Sequence, residues 1–191
     1  FKNPDLVILP GTKNTMGDLK WLRMSGLEAE ILKHAHAGKP VFGICGGYQM
    51  LCRELSDPHN VEEGGSMHGL GLIEATTVFE QTKVRTRVSG CFQQVEGIFA
   101  QLSGTNFEGY EIHMGITKTT CPAMSALQTI DGQSKSDGLN CGNVYGSYVH
   151  GVFDGEEVVK SLAKALLHSK GLEYKETAAV DMQAYKDSQY D

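Results

Sequence analysis

The chain has 191 residues, 40% of them hydrophobic, with a formal net charge of -6 and a sequence pI near 5.6. That length suffices for one domain with a substantial core, and an acidic balance without runs of like charge argues against nucleic acid or an anionic membrane surface as the main partner. No stretch nears the ~18 apolar residues of a membrane span, the first five residues lack the pattern of a signal peptide, and five cysteines without C-x-x-C spacing fit neither a disulfide framework nor a zinc site, so a soluble cytoplasmic chain with reduced thiols is expected.

In chain order, residues 5–10 form a short apolar run closed by Pro10-Gly11, as expected of a buried parallel strand entering a polar loop. Ser25 with Glu28 has the pattern of a capping box, and Leu27, Ile31, Leu32 and Ala35 then keep helical spacing until Gly38. Val41, Phe42, Gly43 and Ile44 read as the next strand and residues 49–55 as a helix, which places Cys45 at a strand-to-helix corner. This β-α-β-α order predicts an α/β domain, an open and mostly parallel central sheet with helices on both faces. The middle of the chain is β-like, with alternation over residues 83–88, a compact segment from Tyr110 to His113, and turns at Asp131-Gly132 and Asp137-Gly138. A strand over residues 144–149 delivers His150 at its exit. Asp154 with Glu157 is expected to cap a helix whose Val158, Leu162, Leu166 and Leu167 share a face and which Gly171 ends. Residues 1–172 thus form one domain and 173–191 a polar tail.

The chemistry concentrates at Gly43-Ile44-Cys45-Gly46-Gly47. A nucleophile elbow crowds its corner so tightly that small residues must flank the nucleophile, and a helix N-terminus there lowers a thiol pKa while the next amide, that of Gly46, can face an oxyanion. An arbitrary cysteine is more often a small buried hydrophobe, but these glycines favour an accessible nucleophile. A thiolate needs a proton-transfer partner. Among seven histidines, His34, His36 and His168 fit ordinary helix positions, while His59 and His68 fall in a loop of uncertain course. His150 leaves its strand at the carboxyl edge shared with Cys45 and is the expected base, within about 5 Å of the sulfur. His113 is its rival. Gln49, Tyr48 and Glu111 are candidates to hold substrate, each with an equally fair structural role. Cys52, Cys91, Cys121 and Cys141 lack the elbow and are expected to be passive.

Four motifs in order, "LPGTKNT" at 9–15, "GICGGYQML" at 43–51, "GYEIHMG" at 109–115 and "YVHGVFD" at 148–154, resemble the class I glutamine amidotransferase (glutaminase) domain of the cobyric acid synthase family, over about residues 5–171. The resemblance implies a flavodoxin-like fold and hydrolysis of L-glutamine by Cys45 and His150, with oxyanion donors from Gly46 and Gly11. It implies that the ammonia amidates carboxylates of a corrinoid acceptor, adenosylcobyrinic acid a,c-diamide, in cobalamin biosynthesis. ATP and Mg belong to a synthetase domain of the same polypeptide, with no cofactor or metal in this domain. No G-x-x-x-x-G-K-[ST] occurs here, so this sequence is expected to be the carboxyl-terminal piece, lacking its first strand and hydrolysing glutamine poorly alone. Gly151 and Val152 follow His150 where many relatives carry a carboxylate, so a dyad is implied rather than a triad. The alternatives are a glutaminase subunit for peptidoglycan-precursor amidation, a γ-glutamyl hydrolase-like enzyme, and a non-catalytic docking module.

Overall fold

A computed structural model of the chain describes residues 2–175. Three short apolar strands, β1 (Val7–Leu9), β2 (Val41–Ile44) and β10 (Val144–Ser147), lie parallel in the order β1-β2-β10, and β9 (Leu139–Cys141) closes the edge antiparallel. Every residue of β2 and β10 is buried, because both faces of this sheet are covered. Val41 and Val144 face a cluster containing Met16, Leu19 and Ile31, whereas Phe42 and Tyr145 face another containing Val158, Leu162 and Ala165. Helices α1 (Thr15–Met24) and α2 (Leu27–His36) supply the first cluster, and α4 (Glu156–Ser169) the second. The α/β class holds.

The remaining strands build a six-stranded sheet in the order β4-β3-β5-β7-β8, with β6 paired to β5. They are β3 (Cys52–Asp57), β4 (Gly65–His68), β5 (Ile73–Phe92), β6 (Asn106–Thr119), β7 (Ser125–Thr129) and β8 (Ser134–Asp137). Only β3 and β5 pair in parallel; the other pairings are antiparallel.

Several local expectations need correction. The elbow helix α3 is short (Gly46–Leu51), and residues 52–55, expected in that helix, belong instead to a strand over 52–57, because Leu55 packs in the core while the Cys52 and Arg53 carbonyls accept from the Gly71 and Gly69 amides. The loop after Pro10 passes into α1, capped by Asn14 Oδ1 accepting from the Gly17 amide at 2.8 Å. Neither expected capping box forms. Gly26, at φ 78°, caps α2 without a side-chain bond while Glu28 pairs with Arg23 at 2.9 Å, and Gly155 occupies the cap of α4. His34 is buried, its Nε2 3.0 Å from the Pro40 carbonyl, rather than an ordinary surface residue. Cys121 and Cys141 form a disulfide between residues that lie 20 apart in sequence, contrary to the expectation of reduced thiols. The polar tail begins at Glu173, and its residues 176–191 lie outside the described residues.

Candidate active site

Cys45 joins β2 to α3 with φ 50° and ψ -109°, a left-handed conformation that disfavours any residue with a Cβ. Its neighbours explain how the chain turns here. A Cβ on Gly47 would stand 2.0 Å from the Leu9 carbonyl oxygen, and one on Gly43 2.6 Å from the Tyr48 backbone, so only glycine lets α3 fold onto the ends of β1 and β2. The Cys45 amide donates to the Ser147 carbonyl at 2.8 Å, tying the corner to β10.

His150 lies just beyond β10, and Gly11 lies close to both it and Cys45. A Cβ on Gly11 would meet His150 Cε1 at 2.6 Å and Cys45 Cβ at 3.5 Å. The loop therefore runs beside both the Cys45 and the His150 side chains. A Cβ on Gly46 would meet Thr12 Cγ2 at 2.5 Å, so the same loop also covers the first turn of α3. A cleft of about 250 Å³ opens beside His150, lined by Pro10, Gly11, Ile44 and Phe153 among others. A groove of about 930 Å³ runs along β5, β7 and β8 and includes neither Cys45 nor His150.

The electrostatics differ from the sequence expectation. Burial pushes the Cys45 thiol up to about 11, against the hydrogen bond from the Gly46 amide, and Glu111, Glu62 and Asp137 push the same way as burial. The helix N-terminus is present but desolvation wins. Cys45 is 5% exposed rather than openly presented, and its thiol donates to the Ile112 carbonyl at 3.5 Å. Burial, and then the nearby His113, lower the His150 pKa. The resting pair is accordingly neutral.

The second sheet forms the far wall. Glu111 and His113 point inward from β6, both buried. His113 Nδ1 donates to the Gly115 carbonyl at 2.9 Å, its ring stacks on Tyr148 at 3.9 Å between centroids, and its Nε2 lies 3.6 Å from Glu111 Oε1. Lys135 Nζ is 2.5 Å from Glu111 Oε2, an ion pair by distance rather than an aligned hydrogen bond, so that this oxygen and His113 Nε2 are buried without a hydrogen bond. Burial would raise the Glu111 carboxyl, but His113 and Lys135 outweigh it and hold it below the usual range. Gln49 and Tyr48 are buried in α3, where Gln49 Oε1 accepts from Thr15 Oγ1 at 2.9 Å and Tyr48 packs edge-on against Tyr148. Gln49 is thus not on an exposed helix face. Among the described residues, no group of three or more His, Cys, Asp or Glu could hold a metal ion.

Residues 1–158 match the family of CobB/CobQ-like glutamine amidotransferase domains. The chain belongs to that family. Cobyric acid synthase from Ruminiclostridium cellulolyticum is 57% identical over 98% of the chain, which covers 38% of that protein, and its namesake from Lachnoclostridium phytofermentans is 44% identical over 98% of the chain and 39% of its own length. This amidotransferase domain therefore spans less than half the length of those relatives. Among solved structures, PurLQS from Thermotoga maritima matches with a TM-score of 0.58 at 20% identity, over 87% of this chain and 82% of that one. A structure described as a glutamine amidotransferase matches with a TM-score of 0.56 at 20% identity, over 90% and 82%. Both likenesses concern the fold. No helix among the described residues of this domain is long and apolar enough to cross a membrane.

Two contributors to the site escape motif reading. The Ile112 carbonyl receives the thiol, and Tyr110 stacks on His150 with ring centroids 5.1 Å apart. The only sequence signal was Gly109-Tyr110 ahead of Glu111.

Proposed function

We propose that the chain is the glutaminase domain of a cobyric acid synthase, residues 1–172 acting with an ATP-dependent synthetase domain of the same polypeptide. The observation that carries this reading is the strained Cys45 corner with the Gly11 backbone close to both its Cβ and the His150 ring. His150 takes the Cys45 proton, and the thiolate attacks the side-chain amide carbon of L-glutamine. The Gly46 amide and a Gly11-loop amide hold the resulting oxyanion. The C–N bond then breaks, His150 returns its proton to the departing nitrogen, and ammonia leaves a thioester. Water, deprotonated by His150, attacks that thioester; glutamate departs and the thiol is restored. Gln49 and Tyr48 shape the floor of the substrate site, and Glu111 keeps a negative charge near the thiol that favours its neutral form until glutamine arrives.

The ammonia amidates carboxylates of adenosylcobyrinic acid a,c-diamide in the synthetase domain. ATP and Mg are used in that domain.

The test measures glutamate release by this chain and by a complete cobyric acid synthase carrying it, with ATP and corrinoid acceptor, using Cys45→Ser and His150→Ala as controls. We expect both substitutions to reduce hydrolysis by at least about 10²-fold and the isolated chain to be slow. Full activity in Cys45→Ser would end the reading. Rapid, acceptor-independent cleavage of γ-glutamyl peptides by the chain alone would favour a hydrolase instead.

A further inference from the structure

We propose that Tyr110 is the positioning residue for His150, doing by ring stacking what a carboxylate does in a Cys-His-acid triad; this rests on the functional reading above. The two rings lie nearly parallel, 9° apart, with centroids separated by 5.1 Å. That is an offset stack within the range in which aromatic rings attract. The backbones are clamped as well: the Tyr110 amide donates to the His150 carbonyl at 3.1 Å and the His150 amide to the Tyr110 carbonyl at 2.8 Å, an isolated antiparallel bridge outside the regular strand pairing.

Gly109 makes this approach possible. A Cβ there would lie 2.3 Å from the His150 carbonyl oxygen and 2.5 Å from Val149 Cγ1. The Gly-Tyr step thus lets β6 come close and then lays a ring on the imidazole. Burial, and then His113, both act to lower the His150 pKa. A carboxylate partner would fix the ring plane and favour the imidazolium formed when the thiol proton arrives. The stack fixes the plane sterically, and its π-face favours the same cation. The Tyr110 hydroxyl plays no part, since the interaction is through the ring. Tyr110 is 45% exposed, so the core does not require its bulk for folding.

The experiment compares Tyr110→Phe, Tyr110→Leu and Tyr110→Ala by glutaminase kinetics in a complete cobyric acid synthase carrying this chain, with ATP and acceptor, and by NMR of the His150 ring protons in the chain, assigned with His150→Ala. We expect Tyr110→Phe to keep kcat within about twofold and leave the His150 shifts in place. Tyr110→Leu and Tyr110→Ala should lower kcat about 10- to 100-fold with KM little changed, as for a misplaced reacting group, and should move the His150 resonances through loss of the neighbouring ring. Leu is the decisive variant, because it restores apolar cover without a π-face. Rescue by Leu, or His150 resonances unmoved in Tyr110→Ala, would overturn the proposal. Undiminished hydrolysis in His150→Ala would remove the functional reading and the inference with it, an outcome that the Tyr110 variants cannot mimic.

Discussion

Cys45 is held where its proton is hard to remove, and His150 where a proton is hard to add. Burial drives both shifts, up to about 11 for the thiol and downward for the imidazole. A thiolate–imidazolium pair is therefore disfavoured in the resting chain, and the nucleophile forms only when something lowers the cost of charge separation at the corner. Alkylation reads this state directly. With iodoacetamide and peptide mapping, the rate at Cys45 should keep climbing about tenfold per pH unit from about pH 7 to about pH 10, where an ordinary thiol would level off. A plateau at neutral pH would show a pre-formed thiolate and reverse this account. The same shift has a sign in stability. The neutral buried thiol contributes fully below the unfolded thiol pKa, and that contribution is lost as pH rises towards about 11.

The loop between β3 and β4 shows how one element steadies another. Asp57 is fully buried, and its carboxylate accepts backbone amides of Val61, Glu62 and Gly64, each at 2.8 Å. The folded loop then presents Glu62 to the Met16 amide at 2.9 Å and Glu63 to Lys20, so it props the N-terminal half of α1 and, through it, the Gly11 loop. Burial would raise the Asp57 carboxyl, but these amides outweigh it and its pKa is lowered. Its stabilisation is accordingly present above the unfolded pKa and lost as pH falls through the folded value. Asp57→Ala should cost about 3 kcal/mol by urea unfolding at neutral pH, since several donors lose a charged acceptor at once. A loss of only a few tenths would show that the loop holds itself. None of this was legible beforehand, because an Asp that caps a loop at a distance leaves no periodic signal. The short strands β1, β2 and β10 were legible, as continuous apolar runs bounded by Gly, Pro or a polar loop. So was the Cys45 corner, because its glycines answer a local steric demand. Residues 52–55 misled because Met50, Leu51 and Leu55 suit a helix as well as a strand, and pairing with β4 and β5 decides between them. Glu111 and His113 stood out by composition, but the pairing of Glu111 with Lys135 depends on β7 and β8, which no local pattern announces.

Across the whole molecule, the site is a seam. Cys45 and the segment leading to His150 come from the parallel sheet, while the Ile112 carbonyl, Tyr110, Glu111 and His113 come from the antiparallel one. At the base, the seam is held by the two backbone hydrogen bonds of the Tyr110–His150 bridge. Hydrogen exchange should therefore find the Tyr110 and His150 amides opening together, at lower free energy than the Cys45 amide bonded within the parallel sheet. Equal protection of all three would mean that the layers separate only on global unfolding. If the layers part independently, the spacing between the sheets acts as a throttle on the chemistry. A load applied to the outer face of β6, at the half-exposed side of Tyr110, would tighten or slacken the base without touching the sulfur, and turnover would then gauge how firmly the two layers are pressed together.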